Sequence, residues 1–268
     1  MLESKKIIVL GSKGMLGRQV VDFFLRKNQE VITIDNYLNK NNIIRIINKL
    51  NRFNSSIIIN CVGKIKQKKS SFEEIFFSNA LLPYHLSLHL DRKHLLIHPS
   101  TDCVFDGQIK YFYPKKFKKN AKDTYGISKS LAELFLKKRN NTLIIRVSII
   151  GFSLKGKDLF SWLYNSKAKK IYGYTNHYWN GITTLEWCKI VEKIIKKNNF
   201  SYKCKIIQLG TIKKYSKYNI VLLVKKKFNL NYKIKKKKVD YINRCLKSDL
   251  KCLNITNQLL EFKKYWSL

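Results

Sequence analysis

The feature that most constrains this chain is an alternation. Short runs rich in β-branched residues recur between longer stretches with helical spacing. The runs are KKIIVL (5–10), EVITID (30–35), SSIIIN (55–60), KHLLIHPS (93–100) and TLIIRVS (142–148). Helical patterns fill 14–27, 40–51, 71–90 and 126–139; the first places Leu16, Val20, Phe23 and Phe24 near a period of 3.6. The strand runs are apolar throughout rather than alternating, which predicts burial on both faces. A β-α repeat of this kind predicts an α/β fold, a doubly wound parallel sheet.

After residue 150 the alternation loosens, and Gly151, Gly156, Gly173 and Gly181 punctuate an aromatic-rich segment. The expected organisation is one domain over 1–150 and a smaller lobe over 151–268. A helix at 184–197 and a strand at 204–209 would return about 182–210 to the main sheet. A helix at 216–227, a lysine-rich stretch and a terminal apolar helix complete the lobe. No internal repeat is visible.

The first strand runs into VLGSKGMLG, with Gly11, Gly14 and Gly17 spaced G-x-x-G-x-x-G at the start of the first helix. In such a loop the first glycine permits a tight turn and the second lets backbone approach a pyrophosphate. The third lets helix and strand pack closely, and helix N-terminal N–H groups face the phosphates. The whole turn, Gly11, Ser12, Lys13, Gly14, Met15, Leu16 and Gly17, is therefore assigned to a dinucleotide. Asp35 ends the second strand about 20 positions on, where a carboxylate accepts from a ribose 2′-hydroxyl and favours NADH. Lys40 lies close behind and would soften repulsion of a 2′-phosphate, so both NADH and NADPH remain candidates.

Composition narrows the remaining classes. Hydrophobic residues make up 45% of the 268, enough for a sizeable core. No run of about 18 apolar residues is present, so no membrane span is expected. The N-terminus lacks the long apolar region and small-residue cleavage site of a signal peptide. The six cysteines form no C-x-x-C pair, which argues against zinc and for reduced thiols in a cytoplasmic protein. Cys61 and Cys103 read as small buried hydrophobes. The charge is extreme, 54 Lys+Arg against 17 Asp+Glu, net +37. A nucleic-acid or anionic-membrane partner is one reading. Lysines spread along the whole chain, with abundant Ile and Asn, favour compositional drift. No specific nucleic-acid partner is expected, although such a field attracts anionic ligands.

Tyr-x-x-x-Lys occurs three times: Tyr111/Lys115, Tyr125/Lys129 and Tyr232/Lys236. Pro114 disfavours the helical turn in the first, and the third lies in an alternating, highly charged segment. Tyr125/Lys129 opens a helical pattern with Asp123 and Thr124 available as N-cap, which puts both residues on one face. Ser100, Thr101 and Asp102 follow the fourth strand, at the end of the sheet where ligands bind in open α/β folds.

In order, GSKGMLG, NCVG (60–63), SNALLP (78–83), STDCVFDG (100–107), YGISK (125–129) and IIRVSIIG (144–151) make the chain resemble the extended short-chain dehydrogenase/reductases, and among them the dTDP-4-dehydrorhamnose reductase family. NGITTLEW (180–187) and YSKYNIVLLV (215–224) extend a weaker similarity. The resemblance implies a Rossmann domain with a small substrate lobe. It implies reduction of a nucleotide-linked 4-keto sugar with NADPH or NADH, in surface polysaccharide or nucleotide-sugar biosynthesis. Tyr125 would be the general acid. Lys129 would lower its pKa from about 10 and hold the nicotinamide ribose, and Thr101 would donate to the substrate carbonyl. Asn79 and Asp102 would neighbour substrate or cofactor, Cys61, Val62 and Gly63 would flank the cofactor, and a homodimer is possible.

The chain also departs from the family pattern. Where these reductases carry Arg-x-Ser-Trp-Val, Ser148 is followed by Ile149, so a substrate-contacting tryptophan is missing. YGYTNHYWNGITTLEW reads as lobe core or as a surface that stacks on a base or sugar. An epimerase or dehydratase of the same superfamily is an alternative. A dehydratase pattern wants a Glu after Asp102, where Cys103 stands. A non-catalytic regulatory subunit is a second alternative, against which the intact Thr101/Tyr125/Lys129 set counts.

Overall fold

The computed structural model describes residues 5–35, 38–65, 70–153, 158–197 and 203–268. Gly156 of the loosened segment lies outside the described residues.

In chain order, the first half runs β1 (Ile7–Leu10), α1 (Met15–Leu25), β2 (Val31–Ile34), α2 (Ile43–Asn51), β3 (Ile57–Asn60), α3 (Phe72–Phe76), α4 (Leu82–His89), β4 (Leu95–Ser100), α5 (Thr124–Leu136) and β5 (Thr142–Arg146). The second half runs β6 (Ile149–Ile150), α6 (Leu159–Tyr164), β7 (Lys170–Tyr174), β8 (His177–Trp179), β9 (Ile182–Thr183), α7 (Thr184–Lys196), β10 (Lys205–Gln208), β11 (Tyr215–Ser216), α8 (Lys217–Phe228), β12 (Lys233–Lys237), β13 (Ile242–Asn243) and α9 (Ile255–Trp266).

Six strands form one sheet in the order β10-β5-β4-β3-β1-β2, and every pairing in it is parallel. The two-residue period of a strand explains the unbroken apolar runs. Ile7 and Val9 enter one core cluster with Val20, Phe23 and Trp187, while Ile8 and Leu10 enter another with Ile47, Leu50 and Leu86. Ile57 and Ile59 face the first and Ile58 the second. Helices α1 and α7 thus cover one face of the sheet and α2 and α4 the other. β10 lies in register beside β5, Lys205 opposite Leu143.

The expected single helix over 71–90 is broken by a π turn at Phe77–Leu81. Pro83 has no N–H to close an α-type bond onto Asn79. The lysine-rich stretch becomes β12, parallel to β7. The aromatic segment builds small strands and core: Trp187 is fully buried, and Tyr174 packs edge-on to His177. Among the described residues no helix is long and apolar enough to cross a membrane.

Candidate active site

A cleft of about 660 Å³ opens at the C-terminal ends of β1, β3 and β4. The sheet order reverses between β1 and β3, and ligands of open α/β sheets sit at that crevice. Gly14, Met15 and Leu16 line it from the first loop, Cys61, Val62 and Gly63 from the loop after β3, and Thr101, Asp102, Tyr125 and Lys129 from β4 and α5. Asn79 also borders it. The structure thus brings most of the residues singled out by sequence to one place. Gly11, Ser12, Lys13, Gly17 and Asp35 stand outside the lining.

Two of the loop glycines are demanded by the protein itself. Gly11 has φ +76°, and a Cβ there would meet Val62 at 3.0 Å. A Cβ on Gly17 would lie 2.2 Å from the Gly11 carbonyl oxygen. Gly14 differs: its Cβ would find only Gly11 O at 3.4 Å and Cys61 O at 4.0 Å. Nothing in the protein requires glycine at 14, so the space it leaves faces the cleft at the N-cap of α1. That cradle fits a diphosphate approaching helix N–H groups. Ser12 donates its hydroxyl to Asp35, and Thr33 does so at 3.4 Å, tying the loop to the end of β2. Lys13 and Lys40 are exposed.

Helix α5 starts where Asp123 accepts from Gly126 N at 2.9 Å. Tyr125 and Lys129 then share the cleft face. Neither competing pair is helical: Tyr111 and Lys115 lie in bends and turns, and Tyr232 precedes β12 with its ring buried.

Burial pushes the Tyr125 phenol well above its usual range and Cys103 and Asp102 add to this, while Thr101 opposes it. The Lys129 amine is turned elsewhere, donating to Pro99 O at 2.7 Å and lying 3.2 Å from His98 Nε2. Burial also lowers Lys129 itself to about 8, so it exerts less than a full positive charge near that pH. The Tyr125 phenol keeps its proton, the form a proton donor needs.

Thr101 donates to Asp102 Oδ1 at 3.0 Å and accepts from Cys103 N at 3.1 Å, capping a short turn over Asp102–Val104. Its single hydroxyl proton is committed in this structure and must rotate to reach a substrate carbonyl. Burial raises the Asp102 carboxyl, against the pull of Arg244, Thr101 and Lys217. Asn79 is fully buried and braces the Lys64 backbone at both ends of its amide, at 2.8 and 3.1 Å. Cys61 and Cys103 are partly buried and border the cleft, and Cys61 also packs against the main core, as its reading as a small hydrophobe expects.

Residues beyond position 150 supply a wall that sequence reasoning missed: Asp158, Trp162, Lys217 and Arg244. Arg244 donates to Phe105 O at 2.9 Å and lies 3.8 Å from Asp123. Trp162, on α6, is 46% exposed and offers an aromatic face. No tryptophan follows Ser148, whose hydroxyl accepts from Trp179 Nε1 at 2.9 Å. Arginine is the rare cation here, eight residues in the chain, so Arg244 carried a faint signal; Lys217 and Trp162 carried none.

A doubly wound sheet, a glycine-lined helix N-terminus and a Tyr/Lys pair facing it define the class of short-chain dehydrogenase/reductases. The family model of the RmlD substrate binding domain matches residues 5–171. The chain belongs to that family. It is 28% identical over 157 residues to the probable low-salt glycan biosynthesis reductase Agl14 of Haloferax volcanii. That match covers 53% of this chain and 52% of the relative, so it spans about half of the relative's length. Among solved structures, a dTDP-4-dehydrorhamnose reductase of Clostridium acetobutylicum superposes with a TM-score of 0.82 at 19% identity, covering 98% of this chain and 100% of that one. One from Bacillus anthracis, in complex with NADP, reaches 0.84 at 16%, covering 98% and 99%. A dTDP-glucose 4,6-dehydratase of Bacillus anthracis with NAD reaches 0.78 at 11%, covering 98% and 97%. At these identities the structural likenesses establish the fold.

Proposed function

We infer that this protein is an NAD(P)H-dependent reductase of a nucleotide-linked 4-keto sugar, in surface polysaccharide or nucleotide-sugar biosynthesis. The observation that carries this reading is the convergence, on one cleft, of the Gly14 cradle with Tyr125, Lys129 and Thr101. The dinucleotide, when bound, supplies a hydride. The residues left to this chain then have distinct tasks. Backbone N–H groups at the start of α1 hold a diphosphate, with Met15, Leu16 and the Cys61–Gly63 loop at its sides. Tyr125 donates its proton to the developing alkoxide, Thr101 orients the carbonyl after releasing Asp102, and Lys129 stabilises the phenolate left behind. Lys217 and Arg244 form the cationic wall that suits a nucleotide diphosphate, and Trp162 suits a sugar or base face. Asp35 with Lys40 close behind keeps NADH and NADPH both open.

The same fold serves a dehydratase. The residue after Asp102 favours reduction: burial pushes the Cys103 thiol up to about 12, so it is no ready base. The reading includes a cytoplasmic protein and a homodimer, the latter supported by exposed Leu81, Tyr84, Leu88, Ile127 and Leu134 on and around α4 and α5. The test is NADH and NADPH oxidation against a panel of nucleotide-linked 4-keto sugars. Turnover with one or more of them is expected; no oxidation of either coenzyme across the panel would refute the reading.

A further inference from the structure

Lysine is spread along the chain, but the carboxylates that would balance it are not. The stretches 159–185 and 193–239 contain no Asp or Glu, although the chain holds 17. Uniform drift raises lysine everywhere; it does not clear acid from two long stretches. The two meet in the fold, the first supplying β7 and the second α8 and β12.

β7 and β12 pair in parallel, with Lys233 opposite Lys170, Lys235 opposite Tyr172 and Lys237 opposite Tyr174. The two-residue period of a strand sends alternate residues to opposite faces. Ile171 and Ile234 take the inner face and pack with the main core. Gly173 joins them, and a Cβ there would meet Tyr218 of α8 at 2.7 Å. The outer face is then Lys170, Tyr172, Lys233, Lys235 and Lys237, all exposed. Lys170 Nζ lies 5.0 Å and Lys237 Nζ 5.9 Å from the centre of the Tyr172 ring, which is 51% exposed. Among the described residues none of these four lysines forms an ion pair. Like charges directly opposite across strands are destabilising, and Lys170 faces Lys233 with no carboxylate to relieve them. A bound polyanion removes that repulsion.

Two observations choose among polyanions. The face offers amines around one exposed ring, with no amide or carboxylate to read a base edge. The next ring along, Tyr174, is half-buried and packs edge-on to His177, so no stack of bases continues there. Second, a crevice near the start of β12 is lined by Leu222, Leu223 and Leu230 with Lys225 and Lys226. Asn231, two residues ahead of Lys233, also lines it. Leucine and tyrosine beside lysine suit a bilayer surface, where apolar groups reach the head-group boundary and amines stay among the phosphates.

We propose that the β7–β12 face is a docking surface for an anionic lipid bilayer, which holds the protein peripherally through Lys170, Lys233, Lys235 and Lys237 around Tyr172. None of these residues lines the cleft, and the inference does not depend on the reductase reading. Each lysine near an anionic surface strengthens binding about fivefold.

The test is co-sedimentation of the full chain at physiological salt with two kinds of vesicle. One holds phosphatidylglycerol and phosphatidylcholine in equal parts, the other phosphatidylcholine alone. The wild type should bind the first and not the second. Lys233→Gln/Lys235→Gln/Lys237→Gln should weaken binding by at least about tenfold, allowing for partial contact of each lysine. Lys49→Gln/Lys116→Gln/Lys138→Gln removes the same charge from exposed sites elsewhere and should weaken binding by less than about threefold. Equal weakening by the two triples would show that net charge alone accounts for binding, and overturns the proposal. So does an absence of binding to the mixed vesicles. If the first triple loses affinity for single-stranded polyuridine and keeps its affinity for vesicles, the face belongs to nucleic acid and the proposal fails. Tyr172→Trp gives a readout even where the first triple does not fold. Its emission, taken as a difference from wild type, should move to the blue on mixed vesicles; an unmoved spectrum overturns the proposal.

Discussion

Gly14 and Gly17 belong to one loop, and the structure predicts opposite consequences for the same substitution at each. A methyl on Gly17 would lie 2.2 Å from the Gly11 carbonyl oxygen and 2.9 Å from both the Gly11 carbonyl carbon and Ser12 Cα. All three are backbone atoms, so relief requires α1 to lift from the end of β1. Overpacking costs about 1–3 kcal/mol, sometimes more, and an approach this close belongs at the upper end. At about 2–4 °C per kcal/mol for chains of this size, Gly17→Ala should lower Tm by roughly 5–10 °C. A methyl on Gly14 meets only ordinary contacts, at 3.4 and 4.0 Å, and its φ of −76° and ψ of 167° suit any residue. The loss of stability should stay below about 1 kcal/mol, the range for a weaker helix N-cap. That methyl instead takes room in the cleft, and NADPH affinity should fall at least tenfold, about 1.4 kcal/mol. Circular-dichroism melts and NADPH fluorescence titrations of the two variants separate these effects. A Gly17→Ala protein melting within about 2 °C of wild type refutes the clash argument. Unchanged NADPH affinity in Gly14→Ala refutes the assignment of the loop.

Tyr125→Phe should reduce turnover by about 10²–10⁴-fold while dinucleotide affinity stays within a few-fold; retained turnover would mean that another group delivers the proton. Glu133→Ala leaves the buried Arg146 guanidinium unpaired and should cost about 3–5 kcal/mol in urea unfolding. In the wild type, burial pushes the Glu133 carboxyl up, but the hydrogen bonds and charge of Arg146 outweigh it and hold it below the ordinary 4.5. Its contribution is therefore present above pH 4.5 and lost as pH falls through the lower folded value, and a Glu133→Gln protein should show a flatter acid limb. Trp162→Ala should raise KM for the sugar nucleotide without moving NADPH affinity; an unchanged KM would remove this ring from the substrate wall. DNA binding, if driven only by net charge, should fade steeply with salt and show no sequence preference; a sequence-specific complex at physiological salt would contradict compositional drift.

Much of the first half was legible because its signals are local. Ile7 through Leu10 read as a two-faced strand since each residue declares itself apolar without reference to any partner. The loop Gly11–Gly17 was legible for a similar reason: a turn, a close helix and a phosphate cradle all act within seven residues. Selection of Tyr125/Lys129 also needed only local facts, Pro114 at one rival and the Asp123 cap at the true helix. What Lys129 and Thr101 do with their protons was not legible. The sequence showed a lysine one turn from a tyrosine, whereas its partners are Pro99 and His98, 30 and 31 residues away.

The division has a physical cause. Secondary structure and the glycine loop depend on periodicity and backbone freedom, which a chain carries residue by residue. The far wall of the cleft depends on which single side chains from beyond residue 150 reach it. Trp162, Lys217 and Arg244 arrive from three separate elements, and among 54 lysines and arginines no spacing marks the two that matter. The same holds for His98 and Asn60, joined only because β3 and β4 lie in register. Sequence by itself determined the sheet, the glycine loop and the Tyr125/Lys129 pair on one helix face; tertiary structure alone decided the hydrogen-bond partners of that pair and the far wall of the cleft.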